Sequence, residues 1–219
     1  VARINPFEVL EQHKNSVTFV QRSDENTKRD FPFDYELKIK YTINGDTVTN
    51  EYIVTNTGED KLPFVIGGHP AFNCPLAKNE KFEDYKVVFD KNITKPCLRP
   101  DHHTGLVNVF EKFDEMHGGD TLSLVHELFE EKDALIFENC EAKSATLIGK
   151  SGKGVKIEFQ DMNNLLIWSA VGNAPFVALE PWTGLASCND EDGLFEHKRG
   201  MTVLEKDETA SFKFKITMI

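Results

Sequence analysis

Between Tyr35 and Tyr41 the chain reads YELKIKY, an unbroken alternation with Tyr35, Leu37, Ile39 and Tyr41 on one side and Glu36, Lys38 and Lys40 on the other. Period 2 is the signature of a half-buried β-strand, because successive side chains of an extended backbone point to opposite faces. On a helix the same residues would be scattered round the circumference and would leave no apolar stripe. Asn44-Gly45 follows at once, a strong hairpin signal, and Thr47 to Thr55 returns as the partner strand. The same grammar recurs at Ser16–Val20, Tyr85–Phe89, Ala145–Ile148, Val155–Phe159, Leu165–Trp168, Phe176–Leu179 and Phe212–Ile219. Only Asn108–His117 and Leu122–Glu131 leave a short helix or irregular turns open. Strands at short spacing with turns between them predict an all-β fold, a large antiparallel sandwich. No internal repeat, low-complexity tract or linker divides residues 1–219, so they are expected to form a single domain.

Gly149 to Gly154 (GKSGKG) lies between two strand patterns and reads as a hairpin turn. A phosphate-binding P-loop would need glycine where Ser144 stands and a helix after Ser151, and a strand pattern follows instead. The net charge of −11 repels phosphate backbones and anionic bilayers, which argues against a nucleic-acid or membrane partner. No apolar run approaches the roughly 18 residues of a spanning helix, and no signal peptide is evident. Cys74, Cys97, Cys140 and Cys188 form no C-x-x-C pair and read as reduced thiols of a cytoplasmic protein. His102-His103 follow Pro100-Asp101 in an expected loop, and His117, His126 and His197 show no zinc spacing with the cysteines, so no metal site is expected. Asn92-Ile93-Thr94 matches a glycosylation sequon, which carries meaning only in a secreted chain.

Two segments look like site loops. In Gly67-Gly68-His69-Pro70-Ala71-Phe72-Asn73 the glycines permit unusual backbone angles and close approach of a ligand, Pro70 stiffens the turn, and His69 can present its imidazole to a cleft. In Val177-Ala178-Leu179-Glu180-Pro181-Trp182-Thr183-Gly184 an apolar strand delivers a carboxylate at its end, where a cleft mouth would relieve the cost of burying it. Trp182 offers a flat face for stacking on a sugar ring. The plainer alternatives are a loop histidine satisfied by hydrogen bonds and a surface glutamate before a turn with a packed tryptophan. Ordinary pKa values of about 6.5 and about 4.3 let such a pair hold one proton near neutrality, as acid–base chemistry requires.

The segments Asn56–Pro75 (NTGEDKLPFVIGGHPAFNCP) and Phe176–Gly184 (FVALEPWTG) resemble the aldose 1-epimerase (mutarotase) family, in particular its bacterial LacX-like branch. The resemblance runs in order along nearly the whole chain. It implies the galactose mutarotase-like β-supersandwich of large antiparallel sheets, and an isomerase that interconverts sugar anomers with no cofactor. It assigns His69 and Glu180 as the catalytic pair and Asp133 as an aspartate that binds sugar hydroxyls. A strand-entry Asp133 capping its own backbone is the plainer alternative. Trp168 and Trp182 are candidate pocket walls, with core packing as the competing role. Family members carry an HGF-A-R-like segment, and Val1-Ala2-Arg3 resembles its end, so Arg3 corresponds to the family's site arginine. The histidine of that segment and several N-terminal strands are then expected to be missing. Two other functions fit the same resemblance: a hexose-6-phosphate 1-epimerase, which needs basic side chains opposite the pair, and a carbohydrate-binding protein without turnover.

Overall fold

The computed structural model describes residues 1–101, 103–130 and 133–219. Of the sequence expectations, those for His102 and for Glu131 at the end of the second ambiguous stretch lie outside the described residues, as does Lys132. The strands in chain order are β1 (Glu8–His13), β2 (Ser16–Arg22), β3 (Tyr35–Asn44), β4 (Thr47–Asn56), β5 (Leu62–Phe64), β6 (Ala71–Asn73), β7 (Tyr85–Phe89), β8 (Cys97–Pro100), β9 (Val107–Phe113), β10 (Thr121–Ser123), β11 (Leu135–Phe137), β12 (Ser144–Gly149), β13 (Gly154–Glu158), β14 (Asn164–Trp168), β15 (Phe176–Trp182), β16 (Thr202–Leu204) and β17 (Thr209–Met218). The helices α1 (Thr27–Asp30) and α2 (Glu127–Glu130) are single turns.

Two antiparallel sheets carry the fold. One runs β1-β2-β3-β4-β17-β13-β12-β7-β10, the other β6-β15-β14-β11-β8-β9. The C-terminal strand β17 is central in the first, paired along its length with β4 from Thr209↔Thr55 to Thr217↔Thr47. The alternation read in β3 is the inward–outward partition of this sheet, with Tyr35 and Leu37 buried. In the β3–β4 hairpin Asn44 pairs with Thr47, which leaves Gly45 and Asp46 as the loop. Gly45 has φ +57. The glycine at the first loop position therefore sets the turn, and Asn44 closes the ladder.

The apolar core lies between the sheets. Leu37, Val54, Val87, Leu147, Ile157 and Phe214 of the first face Leu135, Leu165, Ile167, Val177 and Leu179 of the second. Burying each such side chain contributes about 1.5–3 kcal/mol. The opposite face of the six-stranded sheet carries a second apolar cluster that includes Leu98, Ile136, Leu166 and Leu185. Period 2 along β14 and β15 therefore sends alternate residues to two different apolar environments. That is why these strands read as continuous apolar runs.

Two expectations change. Asn108–His117, open to a helix, is mostly strand β9. Its Asn108 side chain accepts hydrogen bonds from the Phe110 and Glu111 amides, which diverts donors that a helix would need, and Val107 and Val109 pack on the second apolar cluster. The strand predicted to end at Leu179 continues to Trp182, so Glu180 lies inside it. The four cysteines are buried and unpaired. Among the described residues no helix is long and apolar enough to cross a membrane.

Candidate active site

β6 pairs with β15 in the register Asn73↔Phe176, Phe72↔Val177, Ala71↔Ala178. Beyond β6 the same register continues. The Leu179 amide donates to the Pro70 carbonyl (3.1 Å), the Gly68 amide to Pro181 (3.0 Å) and the Thr183 amide to Ile66 (2.9 Å), and Gly67 bridges to Trp182. At constant register His69 stands opposite Glu180, and a directly opposed pair shares one face. The side chains meet: His69 Nε2 lies 3.3 Å from Glu180 Oε1. Pro70 is tolerated because this segment forms the edge of the sheet and only its carbonyl is needed.

The face they share is apolar on the Glu180 side. The pairings Leu98↔Ile136, Ile136↔Leu166 and Leu166↔Glu180 set the carboxylate at the end of a row of hydrophobic side chains. Glu180 is 3% exposed, whereas the His69 side chain is 57% exposed. Sequence reasoning placed this glutamate at a cleft mouth, and the structure buries it with its histidine partner turned to solvent. Burial pushes the Glu180 carboxyl up to about 8, and the negative charge of Asp133 adds to the rise.

Two tryptophans frame the pair differently. The Trp168 ring meets the His69 ring edge-on, with centroids 5.6 Å apart. Trp182 donates its indole N–H to the Gly68 carbonyl at 3.0 Å and packs on Gly67, so it braces the loop that carries His69. The two glycines have packing reasons rather than conformational ones, since neither has a positive φ. A Cβ on Gly67 would strike the Trp182 ring, and one on Gly68 would sit 2.6 Å from the Phe214 ring on the core side. Gly68→Ala is therefore expected to destabilise the fold by about 1–3 kcal/mol. A matching drop in the urea midpoint would be the sign, and unchanged stability would contradict the packing account.

Asp133 precedes β11 and adopts φ +55, its amide donating to the Phe129 carbonyl at 3.3 Å. That bond is made by the main chain and not by a capping side chain, and the Asp133 charge acts on Glu180. Arg3 is exposed in a turn ahead of β1, and among the described residues no hydrogen bond or ion pair links it to His69, Glu180 or Asp133. Sequence reasoning missed the apolar row under Glu180, whose members Leu98, Ile136 and Leu166 come from three strands. It also missed Arg99, which is 2% exposed; a lone arginine inside the apolar stretch Cys97-Leu98-Arg99 was its only signal. Among the described residues no group of three or more His, Cys, Asp or Glu side chains converges as a metal site.

The family model for aldose 1-epimerase matches residues 1–217. Plasmid-encoded protein LacX of Lactococcus lactis subsp. lactis is 35% identical over 221 residues, covering 99% of this chain and 73% of LacX. Among solved structures, a galactose mutarotase related enzyme from Lactobacillus acidophilus superposes with a TM-score of 0.91 at 27% identity, covering 100% of this chain and 72% of that one. A galactose mutarotase-like protein from Lactobacillus casei does so with a TM-score of 0.88 at 29% identity, covering 100% and 74%.

Proposed function

The chain belongs to the aldose 1-epimerase family, and from that premise we propose that it is a mutarotase that interconverts the α and β anomers of a hexose, with Glu180 as general base and His69 as general acid. The observation that carries this reading is the 3.3 Å approach of a solvent-facing imidazole to a carboxylate buried at the end of an apolar row. Glu180 takes the proton of the anomeric hydroxyl, the C1–O5 bond breaks to leave an aldehyde, and His69 gives its proton to O5. Rotation about C1–C2 and the reverse transfers close the other anomer, so atoms and protons balance without a metal, nucleotide or redox group. A buried carboxylate is a stronger base than a solvated one, which suits the task.

Around the pair, Asp133 accepts hydrogen bonds from sugar hydroxyls, Trp168 and Trp182 wall the ring, and Arg3 is assigned to the sugar only through the family resemblance. Asp133 is the charged group that raises Glu180. An acidic neighbour favours a neutral sugar over a hexose 6-phosphate, whose dianion it would repel. We read residues 1–219 as one domain, because both sheets contribute to one core. The four buried, unpaired thiols support a cytoplasmic setting.

Polarimetry with freshly dissolved α-D-glucose and α-D-galactose tests the reading: protein must accelerate the approach to the anomeric equilibrium above the buffer rate. No acceleration by folded protein with either sugar would overturn it. The acid limb of kcat/KM should lie well above the usual carboxylate range, towards the value of about 8 that burial imposes on Glu180. Activity is then lost as pH falls and Glu180 takes up a proton. A limb in the ordinary range of about 4–5 would exclude Glu180 as the titrating base.

A further inference from the structure

Arg99 is 2% exposed on β8, where a buried guanidinium needs partners for its donors. Its Nε is buried without a partner, and its two terminal nitrogens are held at three acceptors. Nη2 pairs with Glu115 at 2.9 Å, and Nη1 donates to the Leu128 carbonyl at 2.8 Å and to the Asp133 carbonyl at 3.3 Å. The guanidinium lies over the Phe113 ring, 5.6 Å from its centroid. Leu128 belongs to α2. Asp133 holds a backbone conformation that any residue with a Cβ disfavours, and such a conformation persists only where its surroundings impose it.

The other end of the same arm is also held. Glu130 Oε1 accepts from the Gly172 amide (2.8 Å) and the Asn173 amide (3.4 Å) in the loop that joins β14 to β15. That hairpin carries Trp168 and Glu180. Phe129, 1% exposed, anchors the arm in the core. Asp133 thus hangs between a buried arginine on one side and the catalytic hairpin on the other.

We propose that Arg99 is a positioning residue for the sugar site: by gripping the Leu128 and Asp133 carbonyls it fixes the Asp133 carboxylate beside the His69–Glu180 pair. This rests on the mutarotase reading, in which Asp133 contacts substrate. Arg99 touches no sugar itself, and its effect passes through Asp133.

The test is a double-mutant cycle with the full chain, reading KM and kcat separately. Asp133→Ala is expected to raise KM by about 10-fold or more, and Arg99→Lys, which keeps the charge but lacks the fork that serves Glu115 and the two carbonyls at once, by a smaller factor with kcat nearly unchanged. Arg99→Gln should be worse than Arg99→Lys. In the Asp133→Ala background Arg99→Lys should add nothing, because its effect has lost its route. Additive KM effects would overturn the proposal. So would a variant pair that simply fails to fold, Arg99→Lys included, since that assigns Arg99 to stability alone. A second readout does not need turnover: carboxyl-carbon NMR of Glu180. Asp133→Ala and Arg99→Lys should both move the Glu180 titration downward, as the Asp133 charge is removed or drifts away. An unmoved titration in Arg99→Lys overturns the positioning role, whereas absent mutarotation in the wild type overturns the activity alone.

Discussion

Glu180→Gln and His69→Asn are each expected to lower kcat for anomer interconversion by about 10²–10⁴-fold, the range of a positioned general base or acid. Glu180→Gln keeps shape, His69→Asn keeps a polar side chain, and both remove the proton chemistry. In Glu180→Gln the new amide still fills the end of the Leu98–Ile136–Leu166 row. In His69→Asn the shorter side chain still fits a position that is mostly in solvent. KM should change much less than kcat, because the lost interactions form in the transition state. The double variant should be little worse than the poorer single one, since base and acid act on one bond in one step. Rates from polarimetry, corrected for buffer catalysis, decide the matter. Near-wild-type turnover in either single variant would remove that residue from the mechanism. A double variant whose loss is the product of the two would mean that they act independently.

The second large effect is on stability, and it has the opposite sign from the effect on activity. In the unfolded chain Glu180 titrates near its ordinary 4.5, and in the folded protein at about 8. The folded state therefore binds the extra proton between those values, and stability falls as pH rises through that window. Below pH 4.5 the protonated carboxyl is at home in its apolar row. Above about pH 8 the folded protein carries a buried carboxylate, which costs roughly 5 kcal/mol at most, at about 1.4 kcal/mol per pH unit. Glu180→Gln removes this titration. The variant should match wild type in urea unfolding at pH 4.5 and exceed it increasingly towards pH 9. Titrations elsewhere in this acidic chain, of net charge −11, are common to both proteins and cancel in the difference. A stability gap that does not change with pH would show that Glu180 is not raised. Confirmed together, the two results would describe a site that trades stability for a strong base.

The strands were legible because their information is local. The alternation in Tyr35–Tyr41 needs no partner to be recognised, and β7 spans the same Tyr85–Phe89 that the pattern marks. Asn108 misled in one sense only: its stretch has no clear period, and a side chain that binds the neighbouring amides of Phe110 and Glu111 favours a bulged strand over a helix. Glu180 is expected at the end of an apolar strand and lies inside β15 instead. The β15 ladder accommodates Pro181, whose carbonyl accepts from the Gly68 amide. The glycines of the His69 loop were read as conformational, and the cause lies in Trp182 and Phe214, which a one-dimensional reading cannot bring alongside. The role of Arg99 is hidden for the same reason, since its partners Glu115, Leu128 and Asp133 lie 16 or more residues away in sequence.

By itself the sequence determined that this chain builds antiparallel sheets, where its strands lie, and which two segments carry a histidine and a glutamate of acid–base character, because periodicity, turn residues and side-chain chemistry are properties of neighbours along the chain. Only the tertiary structure decided that one register runs from Ile66–Thr183 to Asn73–Phe176 and sets His69 against Glu180. It also decided that Glu180 ends an apolar row and stands near the Asp133 charge. Both depend on pairing between residues far apart in sequence, which hydrophobic burial of whole sheet faces selects, and a pKa responds to the surroundings that such pairing creates.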